Sequence, residues 1–266
     1  MAHPKIYCIT NIQSEKLEKL SVNLVGVGKN SFNSNYIKCE GGENINFKEK
    51  NYSELTFHYW FWKNKLNSFS KEDWIGFCQR RRFWLKSKNE DVNKPLEEII
   101  LHDIPDEWKS YNAVICEPIH LGTKFMKIVK RGWKNLIRDP KILLNLKNSS
   151  IKLHFDMHHG FGILDKAIDV LKKEDREEFR KYVNTRSFYN PHIMFISRKN
   201  IMEKYFSDVF PWLFECEKIF GLDNLKGYDQ TRLYAYLSER YLSFWFKKYS
   251  NYIEHPWIAI DVGRDG

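Results

Sequence analysis

No apolar run in this chain approaches the roughly 20 residues a helix needs to cross a bilayer. The opening run, Ile6 to Thr10, is too short for the apolar core of a signal peptide. A cytoplasmic protein is therefore expected, at most peripheral to the inner face of a membrane. Paired cysteines are missing too. Cys8, Cys39, Cys78, Cys116 and Cys216 are odd in number and form no C-x-x-C pair. That argues against a disulfide framework or a structural zinc site. Cys8, Cys78 and Cys116 sit within apolar strand-like runs, where a thiol packs as a small hydrophobe. No G-x-x-x-x-G-K-[ST] loop occurs, and Gly26-Val27-Gly28 lacks the third glycine of a dinucleotide fingerprint. Neither a kinase nor an ordinary dehydrogenase is expected. No clean Asp-x-Asp pair follows an apolar strand, so metal dependence is not readable from the sequence.

What is present supports a sizeable core. Of 266 residues, 42% are hydrophobic and 16% aromatic, which excludes disorder. The aromatic residues also offer flat surfaces for stacking on sugars or bases. The net charge of +9, from 43 Lys+Arg against 34 Asp+Glu, favours anionic partners. Much of it comes from a general Lys/Asn/Ile-rich bias, so local clusters carry more information than the total.

Strand-type and helix-type segments alternate through the first half, which predicts an α/β sheet. Strands are expected at Lys5 to Thr10, near Val22 to Val25, at Trp74 to Cys78, Tyr111 to Cys116, Ile193 to Ser197 and Trp257 to Ile260. A short helical stretch is expected from Ser14 to Leu20. Leu55, Tyr59, Trp62 and Leu66 recur at helical spacing and predict a helix over Tyr52 to Asn67, with Ser53 as its cap. Helices dominate the second half: one after Gly160, one over Asn200 to Phe220 containing Pro211, and one over Tyr228 to Tyr249. The basic stretch from Leu121 to Leu153 is poorly patterned and reads as a loop or lid. No repeat and no linker interrupts the chain, so residues 1–266 are expected to form a single domain.

Three clusters carry candidate chemistry. The run Gln79-Arg80-Arg81-Arg82 ends an apolar strand with three guanidinium groups, which match phosphate oxygens two at a time. A solvated basic turn is the alternative. Asp156-Met157-His158-His159 offers a carboxylate and two imidazoles at an expected loop-to-helix junction, for metal binding or proton transfer. Glu239 and Arg240 are neighbours about 100° apart on a helix with apolar flanks. They form either a buried ion pair or an acceptor and phosphate site, with Arg232 nearby.

Several segments together resemble one family. Glu54 to Asn64 is similar to an "ELTxxYWxWKN" helix and Ile75 to Phe83 to "IGLCHYRRYF". Ile193 to Ile196 resembles "NMFI", Trp212 to Phe214 matches "WLF", and Arg232 to Arg240 resembles "RVFGFLSERL". These occur in this order in a bacterial family, formerly of unknown function, from capsular and exopolysaccharide gene clusters. Its characterised members are galactofuranosyltransferase-like glycosyltransferases. Two departures stand out: Gln79-Arg80 replaces His-Tyr, and Ile193 replaces Asn, with His192 beside it.

The resemblance implies a GT-A-like α/β fold, with a mixed central sheet flanked by helices and a helical C-terminal half. It implies sugar transfer from a nucleotide-diphosphate donor, a UDP-sugar being favoured, to a glycan or lipid-linked glycan acceptor. On this reading Arg80, Arg81, Arg82 and Arg240 bind donor phosphate, and Asp156 or Glu239 is the catalytic base. Tyr59, Trp60, Lys63, Asn64, Gln79, His192 and Arg232 contact substrate. His158 and His159 are contacts for a metal, Mn²⁺ or Mg²⁺, or for phosphate, with a metal-independent mechanism left open. The basic middle segment would meet anionic lipid headgroups. The alternatives are an inactive glycan-binding relative and a basic nucleic-acid-binding protein, although nucleic acid is not the expected partner.

Overall fold

The computed structural model describes residues 3–121, 137 and 150–261. Nearly all of the basic segment expected to form a loop or lid lies outside these. The chain divides into two compact units: Met1–Glu117 with His192–Ser207 and Trp245–Gly266, and Pro118–Pro191 with Asp208–Phe244. In chain order the strands are β1 (Lys5–Thr10), β2 (Asn23–Gly26), β3 (Ile37–Lys38), β4 (Trp74–Gln79), β5 (Arg82–Trp84) and β6 (Ala113–Cys116). They continue with β7 (Ile119–His120), β8 (Phe188–Tyr189), β9 (Phe195–Arg198), β10 (Tyr252–His255) and β11 (Trp257–Ala259).

The first unit is built on a mixed sheet of order β10-β6-β9-β4-β1-β2-β3, as the α/β expectation requires. β1 runs parallel to β2 and β4, with Cys8 opposite both Leu24 and Cys78. β9 lies antiparallel between β4 and β6, and β5 pairs with β4 and β11 at the side. Side chains alternate across the sheet. Tyr7 and Phe77 meet Phe57 and Phe61 of helix Leu55–Asn64, with ring centroids 5.1 to 6.0 Å apart. Ile6, Cys8, Cys78 and Ile196 enter a second core layer with Trp74, Trp84 and Trp108. Both faces are thus covered, and every residue of β4 is buried. Gly76 is needed there, because a Cβ would stand 2.4 Å from Ile196 Cγ1.

The second unit is helical. It contains helices Ile151–His159, Ile163–Asp169, Lys173–Thr185 and Tyr228–Thr231, and the antiparallel pair β7–β8. Residues 208–220 and 233–244 of helices Lys199–Phe220 and Leu233–Tyr249 complete it. Phe179 packs on Trp212, Tyr241 and Phe244 in its core.

Local expectations differ from the structure at several places, and helix Lys173–Thr185 is one element they omit. Helix Leu55–Asn64 is shorter than Tyr52 to Asn67, and Ser53 does not cap it. Ser53 instead closes a preceding turn of helix, Glu49–Tyr52, with φ 54° and its N–H donating to the Glu49 carbonyl. The stretch Asp156 to His159 is not a helix entry: it closes helix Ile151–His159, which Ser150 caps by accepting from Leu153 N at 3.2 Å. Ile151, Leu153, Phe155 and Met157 alternate in sequence, a strand-like pattern, yet as two i,i+4 pairs all four are buried. Arg232 divides the expected Tyr228 to Tyr249 helix in two. β10 was not anticipated, because its residues Tyr252, Ile253 and Glu254 are only half-buried.

His58 lies in the aromatic layer, 4.1 Å from the Phe77 ring, and neither of its ring nitrogens has a hydrogen-bond partner. Burial pushes its pKa down from 6.5 to about 3. An unfolded chain gains the proton below pH 6.5, whereas the folded chain does not until about pH 3. Stability should therefore be full above pH 6.5 and fall by up to about 1.4 kcal/mol per pH unit below it. His255, also lowered by burial, acts in the same direction. Urea denaturation at pH 7 and pH 5 should show His58→Phe losing less stability than wild type, by about 2 kcal/mol. Equal losses would contradict a buried neutral imidazole.

Candidate active site

The carboxyl ends of β4, β1 and β2 lie side by side, with Ile9 opposite Gln79 and Thr10 opposite Gly26. Open α/β sheets bind ligands beyond such ends. From Gln79 the chain turns through Arg80 and Arg81 and returns as β5, with Arg82 opposite Gln79. The tight hairpin sends the three arginines into different surroundings. The Arg80 N–H donates to the Ile9 carbonyl at 3.2 Å. Arg81 stands 3.3 Å from an Asp261 carboxylate oxygen, and its carbonyl accepts from Ile260 N at 3.0 Å. Arg82 is half-buried. Its Nε donates to His192 Nε2 at 3.1 Å and its Nη1 to Gln79 Oε1 at 3.2 Å. Both acceptors are uncharged, because an imidazole nitrogen that accepts carries no proton. His192 has φ 68°, and its ring meets the Trp257 ring edge to face at 4.5 Å.

A cavity of about 220 Å³ opens beyond β2 and β3, lined by Gly26, Gly28, Lys29, Phe32, Lys38 and Asn46 among others. The Gly28 N–H donates to Asn46 Oδ1 at 3.0 Å, and Asn46 Nδ2 donates back to the Gly28 carbonyl at 3.4 Å. Phe32 closes against Gly26 so tightly that a Cβ there would sit 2.4 Å from its ring. The one sign of this cavity in the sequence is the Gly26-Val27-Gly28 strand end, an incomplete dinucleotide motif.

Tyr59, Trp60, Lys63 and Asn64 are brought together, but around a loop of this chain. Trp60 Nε1 donates to the Gly41 carbonyl at 3.1 Å, and Tyr59 Oη donates to the Glu43 carboxylate. Lys63 Nζ lies 3.7 Å from the same carboxylate. Asn64 accepts from Glu43 N at 3.2 Å and donates to the Glu43 carbonyl at 2.9 Å. Gly42, with φ 60°, leaves Asn64 its room: a Cβ would stand 1.9 Å from Asn64 Oδ1. The loop so held lies between Lys38, Cys39 and Glu40 on one side of the cavity lining and Asn46 on the other.

In the second unit, Arg240 is 1% exposed and lies 3.9 Å over the Tyr189 ring. Its Nη1 donates to Glu239, and its Nη2 to His154 Nδ1 at 3.3 Å. Burial works against the Arg240 charge, but Tyr189 and Glu239 more than offset it and raise its pKa. Asp156 is 1% exposed. One oxygen meets Lys152 Nζ at 2.7 Å, and the other accepts from Gly162 N at 3.3 Å, bracing the turn after the helix. Burial raises its pKa against the pull of Lys152. The His158 and His159 rings are 6.1 Å apart. His158 packs against His154, while His159 stacks on Tyr236 and donates from Nδ1 to the Asp229 carbonyl. Among the described residues no three His, Cys, Asp or Glu side chains gather as metal ligands. Arg232 lies over the exposed Tyr228 ring at 5.0 Å.

The fold is that of a glycosyltransferase of known structure. A structure titled "WbbM bifunctional glycosytransferase apo structure" superposes with a TM-score of 0.71 at 19% identity, over 97% of this chain. This chain spans 45% of that one. A family model described as "Domain of unknown function (DUF4422)" matches residues 5–251, and the chain belongs to that family. No curated protein sequence matches it.

If the helix signature braces the loop, Asn64→Ala should free Gly41 to Asn44. Removing both bonds to Glu43 should cost about 1–3 kcal/mol and open the loop to limited proteolysis. A proteolysis pattern identical to wild type would leave the brace without support.

Proposed function

We propose that this chain is a glycosyltransferase that moves a sugar, hexosyl or galactofuranosyl, from a UDP-sugar to a glycan or lipid-linked glycan in surface polysaccharide synthesis. The observation that carries the reading is Arg82. It is a half-buried guanidinium at the start of β5, opposite the end of β4, held by two uncharged acceptors, and so oriented without being neutralised by them. Such a cation suits a diphosphate, whose oxygens it can meet with its remaining N–H donors. Family membership and the fold likeness support the same class. β4 and β1 separate β5 from β2 in the sheet, which puts the cavity at β2 about 14 Å from Arg82. A nucleoside diphosphate can bridge that separation, with its nucleoside in the cavity and its phosphates on Arg82.

In the reaction, a base takes the proton of an acceptor hydroxyl. The hydroxyl oxygen bonds to the anomeric carbon, and the bond from that carbon to the diphosphate oxygen breaks. Negative charge then grows on the departing phosphate, where a preoriented guanidinium is most effective. Of the two carboxylates expected as base, we assign the role to Glu239, because its side chain is 12% exposed against 2% for Asp156. Arg240 would then hold Glu239 in place. Among the described residues no helix is long and apolar enough to cross a membrane. We place the enzyme in the cytoplasm at the inner membrane face, where a lipid-linked acceptor is within reach.

Arg82→Ala should weaken UDP-sugar binding at least 10-fold by calorimetry, about 1.4 kcal/mol, with an unchanged circular dichroism melt. Arg81→Ala should do less, because its charge already meets Asp261. Unchanged binding in the Arg82 variant would remove the donor site from β4. Glu239→Gln should lower kcat about 100-fold or more and leave UDP-sugar affinity alone. Full turnover in that variant would exclude Glu239 as the base.

A further inference from the structure

The left-handed backbone at His192 is unusual for a residue with a side chain, and such strain persists where the surroundings over-determine it. The surroundings here are specific. Trp257 meets the His192 ring edge to face, which fixes the ring plane, and Nε2 points at Arg82 Nε, 3.1 Å away. For Nε2 to accept, the proton must sit on Nδ1. Gln79 Oε1 grips the other end of the guanidinium from the opposite strand of the hairpin. An arginine side chain has several rotatable bonds and loses much freedom when held. Two acceptors, one on Nε and one on Nη1, fix both the position and the plane of the fork, so the remaining donors keep one direction.

We propose that His192 is a positioning residue. As the neutral Nδ1–H tautomer it holds the Arg82 guanidinium by Nε, with Gln79 as the second clamp, and so pre-orients the fork for a diphosphate without touching the ligand. This rests on the reading of Arg82 as the donor-phosphate site. His192 thus acts through another side chain, unlike the direct substrate contact expected of it from the sequence.

A double-mutant cycle with UDP as the probe tests it, on the full chain by calorimetry. His192→Phe keeps an aromatic ring against Trp257 but offers no acceptor, and should weaken UDP binding about 10-fold. His192→Gln, whose amide oxygen can replace Nε2, should recover most of that loss. In an Arg82→Ala background, His192→Phe should have no further effect. Nitrogen-15 NMR should show Nδ1–H for His192 in wild type and a mixture of tautomers in Arg82→Ala. An equal loss from His192→Phe with and without Arg82, or no loss at all, would overturn the proposal. An Nε2–H tautomer in wild type would overturn it too. If Arg82→Ala binds UDP like wild type, the donor-site reading fails, and the tautomer measurement still decides whether His192 holds Arg82.

Discussion

Because β4 is covered on both faces, its polar chemistry can emerge only at its ends. Tyr7, Phe57, Phe61 and Phe195 close one side, and Cys8, Trp84 and Ile196 belong to the layer on the other. A charge in the middle of this strand would be stripped of water without compensation. Gln79 is therefore the first position where a side chain can turn to polar partners, and the hairpin returns Arg82 directly opposite it. Burial of the sheet thus decides where the arginine run can act, and the two-residue turn decides which arginine stays on the Gln79 side.

The same constraint explains the helix signature. Helix Leu55–Asn64 is buried through Phe61, and its last turn carries Lys63 and Asn64 into the open. There Tyr59, Trp60, Lys63 and Asn64 grip one loop, through its backbone at Gly41 and Glu43 and its carboxylate at Glu43. Expected to contact substrate, they hold the chain next to the lining of the cavity beyond β2. His58, on the buried part of the helix, adds only aromatic bulk and forgoes hydrogen bonds to do so.

The two departures from the resembled pattern come close to one another in space. Gln79 stands where the pattern has an imidazole, and His192 adjoins the position where it has a carboxamide. Here the carboxamide of Gln79 and the imidazole of His192 both hold Arg82.

Much of the sheet was legible in the sequence, because β1, β4, β6 and β9 are short apolar runs with abrupt polar ends, and burial on both faces demands that composition. Helix Leu55–Asn64 was legible from its periodicity. Helix Ile151–His159 was not, because Ile151, Leu153, Phe155 and Met157 alternate as a strand would, and a neighbouring chain had to decide between the two. Of the site, the sequence alone determined the clustering of charge at residues 80–82 and its place after an apolar strand. Only the tertiary structure decided that Arg81 faces Asp261 while Arg82 faces His192, 110 residues further along the chain. Local sequence sets a side chain's charge, whereas its partner is whatever the fold brings within hydrogen-bond distance. That distance is unrelated to separation along the chain.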